Sequence, residues 1–148
     1  MKIACAFDHA GFTLREEILA AVENAGHEVI DLGVHSPEPV DYPDVARKVG
    51  RAVSTGVAER GILVCGSGAG VSVAATKIDG IRAATIHDEY TAHQAVEHDD
   101  VNVLCLGSRV VGGELAKEIV ARFLAASVSN EERHVRRREK IDQIEAEN

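Results

Sequence analysis

Cys65 ends a short apolar run, Ile62-Leu63-Val64, and is followed at once by Gly66, Gly68 and Gly70 alternating with Ser67 and Ala69. An apolar segment from Val71 to Ile78 carries on. The pattern predicts a strand that stops, a glycine loop and a helix that starts. Such a loop turns several backbone N–H groups toward one point, where negative charge can rest, on a phosphate or on a developing oxyanion. The same N–H groups favour the thiolate form of a neighbouring cysteine. Gly61–Ser72 therefore offers a base beside an anion hole. Its plainer reading is a tight turn next to a buried free cysteine, a common arrangement.

Four other places carry reactive side chains. Asp8-His9-Ala10-Gly11 closes a first apolar run, Ile3–Phe7, and His9 there either holds a phosphate or caps a loop. His98 precedes Asp99 and Asp100, just ahead of another apolar run; alone it reads as a solvated histidine. Arg109 follows that run. Arg133, His134, Arg136, Arg137 and Arg138 form a basic cluster in an acidic chain. A charge run is usually a solvated helix face, but Arg133 and Arg137, four apart, also have the spacing to clamp a phosphate. His27, His35, His87 and His93 show no metal-ligand spacing, so no metal site is expected.

The elements that must position these residues alternate strictly. Strands are predicted over Ile3–Phe7, Glu28–Leu32, Gly61–Cys65, Arg82–Ile86 and Asn102–Leu106. Helices lie between them, the first opened by a Thr13–Glu16 capping box and stopped by Gly26. Another helix starts at Asp44, after a loop with three prolines. Asp88 is the N-cap of the helix that runs to His98, and Gly112-Gly113 opens the next. The charged tail, residues 130–148, makes one more. Nearly continuous apolar strands imply a parallel sheet covered on both faces. The expected fold is a Rossmann-like α/β three-layer sandwich with a five-stranded parallel sheet in the order 2-1-3-4-5, right-handed crossovers and a C-terminal tail helix. Ligands bind such sheets outside the strands' carboxyl ends, where the order reverses, here between strands one and three. The loops flanking that crevice are Asp8–Gly11 and Cys65–Gly70. His98 falls at the opposite edge of the sheet, so if it acts with Cys65 a second subunit must bring it.

The 148 residues, 45% hydrophobic, are expected to form one domain (residues 1–148) with a core that needs no disulfide. A formal charge of −8 and 3% aromatic residues argue against nucleic-acid binding. The three cysteines show no CxxC spacing. No charged leader and no apolar run of about 18 residues is present, so a cytoplasmic location away from membranes is the expectation. The glycine spacing fits neither the dinucleotide fingerprint nor a Walker A loop.

DHAGF after strand one, VDYPD in the proline loop, CGSGAGVSVAATK, EHDDVN, LGSRVVG and RHVRR occur in this order over nearly the whole chain. Together they resemble the type B ribose-5-phosphate isomerase family, which includes galactose-6-phosphate isomerase subunits. The resemblance implies an aldose–ketose isomerase that uses no metal or other cofactor and acts on a sugar phosphate through an enediolate. It implies Cys65 as the base, the Gly66, Gly68, Ala69 and Gly70 stretch as the holder of the enediolate oxygen, and Ser67 as a proton carrier. His98 resembles the family's ring-opening histidine, contributed across a homodimer interface, with pairing of dimers into tetramers left open. Asp8 and Tyr42 would contact sugar oxygens, and His9, Arg109, Arg133 and Arg137 the phosphate. Some members use a glutamate further along the loop; Ser72 stands near that position, which places this chain with the cysteine branch. Two positions depart from the family pattern: Asp99 replaces an asparagine after the histidine, and Thr76 an asparagine in the following helix. An amide that donates becomes a carboxylate that only accepts, which opens tetrose, allose or galactose phosphate as alternatives to ribose 5-phosphate. A non-catalytic sugar-phosphate-binding module is the reading from a different class.

Overall fold

In the computed structural model, which describes residues 1–148, five apolar runs pair in parallel as one sheet. They are β1 (Lys2–Phe7), β2 (Glu28–Asp31), β3 (Arg60–Cys65), β4 (Ala83–Thr85) and β5 (Val103–Gly107). The helices are α1 (Arg15–Asn24), α2 (Tyr42–Ser54), α3 (Ala69–Ala75), α4 (Glu89–Asp99), α5 (Gly113–Ala125) and α6 (Glu132–Ala146). The architecture is Rossmann-like α/β with helices on both faces of the sheet.

Alternation along the strands divides the interior in two. Ile3, Cys5 and Phe7 of β1, with Ile62, Val64, Leu104 and Leu106, pack under α1, α4 and α5. Ala4, Ala6, Leu63, Cys65, Val103 and Cys105 face the other way, under α2 and α3. Small residues dominate this second face, so α2 and α3 approach the sheet closely. A Cβ on Gly61 would stand 2.3 Å from Val49, and one on Gly50 2.4 Å from Ile78.

The strand order is β2-β1-β3-β5-β4, not the 2-1-3-4-5 expected for the outer pair. All five residues of β5 are buried, whereas β4 has three residues and none of them is buried. A strand apolar on both faces belongs inside a sheet and a short half-exposed one at its edge. The reversal between β1 and β3 is as expected. The exchange sets Cys65 directly opposite Gly107, so the loop after β5 lies beside the glycine loop.

Local starts differ in two places. The Thr13–Glu16 capping box does not form, because the chain already turns at Gly11. Asp8 Oδ1 accepts the Gly11 N–H at 2.8 Å, Gly11–Leu14 is a 3-10 turn, and α1 begins at Arg15. A Cβ on Gly11 would fall 2.0 Å from the Val64 carbonyl oxygen, so only glycine lets this turn lie against β3. Helix α2 starts at Tyr42 rather than Asp44, with Pro43, whose fixed φ suits a first turn, just inside. Asp88 does cap α4, its carboxylate accepting the Thr91 N–H at 2.7 Å. No helix is long and apolar enough to cross a membrane.

Candidate active site

Over the carboxyl ends of β1, β3 and β5 lies a cleft of about 350 Å³. Asp8, His9 and Ala10 line it from the β1 loop, Cys65, Gly66, Ser67 and Gly70 from the glycine loop, Tyr42 from α2, and Arg109 and Val110 from the β5 loop.

Each lining group is fixed by the backbone behind it. The Gly68 N–H points at Cys65 Sγ, 3.1 Å away, which aims a positive dipole at the sulfur. The Ala69 N–H donates to Ser67 Oγ at 3.2 Å. Ser108 N–H and Arg109 N–H donate to the carbonyls of Cys65 and Gly66 at 2.8 and 3.0 Å, and Ser108 Oγ donates to the Ala10 carbonyl at 2.7 Å. The three loops are thus laced together. Arg109 lies over Gly66, where a Cβ would come within 3.2 Å of its guanidinium. The Tyr42 ring packs on Gly70, leaving a Cβ there 2.8 Å from the ring edge.

Two groups have their roles narrowed by hydrogen bonds. His9 Nδ1 accepts the Val40 N–H at 3.2 Å, so the neutral ring carries its proton on Nε2 as a donor. Asp8 is buried and uses Oδ1 on Gly11, which leaves Oδ2 to accept from a ligand hydroxyl.

The other two cysteines are of a different kind. Burial pushes the thiols of Cys5 and Cys105 up to about 12, so both stay protonated inside the sheet. No three His, Cys, Asp or Glu side chains converge as a metal site would require.

His98, Asp99, Arg133 and Arg137 are not at this cleft. His98 and Asp99 end α4, ahead of the amino end of β5, and the two arginines are exposed on α6. Val103 to Gly107 alone spans about 13 Å at the usual strand rise, so Cys65 and His98 sit at opposite ends of the sheet. There His98 stacks on His134, ring centroids 4.0 Å apart. His134 is buried, with Nδ1 2.8 Å from Ser129 Oγ. Arg138 donates to the carbonyls of His98 and Ser129 at 3.1 and 2.7 Å. The basic run therefore splits by helix periodicity: Arg138 is a structural clamp, while Arg133 and Arg137 face outward.

Sequence reasoning missed Ser108, Thr85, His134 and Arg138 as parts of this architecture. Ser108 lies inside the LGSRVVG segment, and its partner Ala10 is distant in sequence, so no local signal marks the bond.

A doubly wound parallel sheet with a thiol on a glycine loop at its switch point, rimmed by histidine and arginine, defines an enzyme for small anionic substrates. Residues 3–141 match the Ribose/Galactose Isomerase family. Ribose-5-phosphate isomerase B of Escherichia coli (strain K12) is 49% identical over 144 residues, 97% of this chain and 96% of that protein. A solved ribose-5-phosphate isomerase B from Clostridium thermocellum superposes with a TM-score of 0.95 at 47% identity, covering 99% of both chains. D-erythrulose-4-phosphate isomerase of Pectobacterium atrosepticum is 40% identical over 130 residues, 85% of this chain and 84% of that protein. The chain belongs to the Ribose/Galactose Isomerase family, and it is an isomerase.

Proposed function

We propose that residues 1–148 act as one unit that interconverts ribose 5-phosphate and ribulose 5-phosphate, with Cys65 as the base. The observation that carries this reading is the Gly68 N–H donated to Cys65 Sγ at the floor of the cleft. It supports a sulfur poised to hold negative charge, in a relative of proteins named for that reaction.

The open-chain aldose presents its carbonyl at C1 and a hydrogen on C2. The Cys65 thiolate takes the C2 proton, and the electron pair moves onto the carbonyl oxygen to give an enediolate. The Gly68 N–H stays on the sulfur, and other N–H groups of the Gly66–Gly70 loop meet that oxygen; one such donor is worth about 3–4 kcal/mol in comparable holes. Ser67 Oγ relays the hydroxyl proton from O2 to O1. The Cys65 thiol then returns its proton to C1, leaving the ketone at C2. Asp8 Oδ2 and Tyr42 take sugar hydroxyls. His9 Nε2–H and Arg109 meet the phosphate.

The cyclic sugar must first open, and the cleft of one chain holds no second proton carrier of the right kind besides His9. His98, half-buried against His134, lies at the far end of the sheet with the exposed Arg133 and Arg137. A homodimer that lays this set of one copy over the Cys65 cleft of the other completes the site.

The carboxylate of Asp99, exposed where the family pattern has an amide, favours a second reading. An acceptor there suits a sugar phosphate of different length or stereochemistry, and a relative carrying a tetrulose phosphate in its name lies within reach. Turnover of aldose phosphates of four to six carbons, by the parent and Asp99→Asn, tests both. Ribose 5-phosphate as best substrate supports the first reading. Another sugar as best substrate, with Asp99→Asn shifting preference toward ribose 5-phosphate, supports the second. Binding without turnover on any sugar would leave only a binding module.

A further inference from the structure

Behind the glycine loop, on the side away from the cleft, edge strand β4 supplies a side chain that the reaction scheme leaves unused. Thr85 Oγ1 donates to the Gly68 carbonyl oxygen at 2.8 Å. Its Cγ2 fills the space beside Gly68, 3.0 Å from where a Cβ would stand. Gly107 abuts the same loop, a Cβ there falling 2.6 Å from the Ser67 carbonyl carbon, and His87 Nε2 accepts the Gly107 N–H at 2.9 Å.

The Gly68 carbonyl shares a peptide plane with the Ala69 N–H. In a planar trans peptide these two groups point in opposite directions. With the oxygen held back against β4, the Ala69 N–H faces the Ser67 hydroxyl, and Ser67 lines the cleft. Gly68 itself does not hold the plane; its carbonyl also accepts the Ser72 N–H as α3 begins, at 3.3 Å, a longer bond than the 2.8 Å one from Thr85. Gly68 sits at φ +80° and ψ −14°, and glycine carries no Cβ penalty across much of its map. A rotated plane would replace the N–H by the carbonyl oxygen and turn the wrong end of the dipole toward a developing oxyanion.

We infer that Thr85 is a positioning residue for the isomerisation: its hydroxyl locks the Gly68–Ala69 peptide with the N–H turned to the cleft. The inference rests on the Cys65 loop being the enediolate site, and it adds a residue outside the cleft that acts through Gly68. A donor that meets charge only in the enediolate should leave substrate binding largely alone.

Steady-state kinetics on ribose 5-phosphate of the full chain with Thr85→Val, Thr85→Ser and Cys65→Ala tests it, with thermal melts confirming that each variant is folded. Thr85→Val should lower kcat about tenfold or more with KM within about threefold, and Thr85→Ser should restore most of kcat. Thr85→Ala removes the hydroxyl without adding bulk and carries the same expectation if valine disturbs folding. A kcat within twofold of the parent in the variants without a hydroxyl, a loss that appears only in KM, or a serine variant as poor as valine would overturn the inference. Full turnover in Cys65→Ala overturns the site assignment and the inference together. An inactive Cys65→Ala beside a fully active Thr85→Val overturns the inference alone.

Discussion

The two ends of the sheet are built by different means. At the carboxyl end the cleft-lining groups sit directly on strand ends, and backbone N–H groups fix them: Ser108 to the Cys65 carbonyl and Arg109 to the Gly66 carbonyl between loops, and Gly11 to the Asp8 carboxylate within one. At the amino end the groups sit on the last turn of α4 and on α6, and long side chains hold them. Arg138 ties α6 to the His98 carbonyl, Arg82 bonds both Asp100 and Asp142, and Glu145 accepts the Gly80 N–H at 3.0 Å. The first end is a concave, preorganised cleft. The second is a charged surface of helix ends, which under the proposed dimer would serve the reaction by covering the partner's cleft. Geometry that must hold to a fraction of an ångström suits the first; under the proposed dimer, a phosphate clamp or ring-opening acid delivered by docking suits the second.

The largest effect follows from removing the proposed base. Cys65→Ala should lower kcat by at least about a thousandfold while the folded protein still binds sugar phosphate. Isothermal titration alongside kinetics checks both halves. The comparison itself breaks or stands on a mixing experiment. His98→Asn and Cys65→Ala, each nearly inactive alone, should recover activity when unfolded together and refolded. Random pairing makes half the dimers mixed, and each mixed dimer has one intact site of two, so about a quarter of parental activity is the expected ceiling. No recovery, or a fully active monomer in sedimentation, would mean that the two ends never meet.

A smaller effect comes from the amino end alone. Arg133→Ala and Arg137→Ala should raise KM by roughly ten- to a hundredfold with less change in kcat, as befits charge-assisted bonds worth about 1.5–3 kcal/mol. The loss should grow shallower at high salt, where the exposed arginines are screened already. Gly70→Ala probes the concave end at similar scale. The added Cβ must displace the Tyr42 ring from 2.8 Å, narrowing the cleft, so KM should rise while the melting temperature moves little. A KM unchanged in Gly70→Ala would remove Tyr42 from the substrate wall.

What the sequence revealed divides along the same line. The strand-end loops that line the cleft were legible because a strand, its loop and the following helix are consecutive: Cys65 to Gly70 and Asp8 to Gly11 announce themselves within a few residues. The reversal between β1 and β3 followed from fold class. The exchange of β4 and β5 did not, although the hydropathy pattern carried it, since VLCLG is apolar at every position and AAT is not. The capping box at Thr13 failed because a tertiary contact, Gly11 against Val64, started the turn earlier than any local signal. The amino end was legible only as charge. Nothing in RHVRRR separates the clamp Arg138 from the outward Arg133 and Arg137 until the face of α6 that meets α4 is known. Likewise the burial of His134 inside a basic run runs against composition and becomes intelligible only with His98 stacked upon it.

That buried histidine gives the smallest and most specific test of how the amino end is held. Burial, the adjacent His98 ring and the charges of Arg133 and Arg137 all lower the His134 pKa below the ordinary imidazole value, opposed only by Glu131. The unfolded chain therefore takes up this proton at higher pH than the folded one. As pH falls below about 6.5 the unfolded state binds more protons, and by linkage the folded state loses stability. The contribution is complete above that pH and is lost as pH drops through the depressed folded value. Thermal melts between pH 8 and pH 5 should show a decline for the parent that is shallower in His134→Phe, which keeps an aromatic ring against His98 but cannot titrate. Because the stack lies at the far end of the sheet from Cys65, the accessibility of the Cys65 thiol to a small alkylating reagent should not differ between the two proteins. If His134→Phe instead changed alkylation of Cys65 in a dilute, monomeric sample, the two ends would be coupled within one chain, and the division between a rigid cleft and a docking surface would have to be given up.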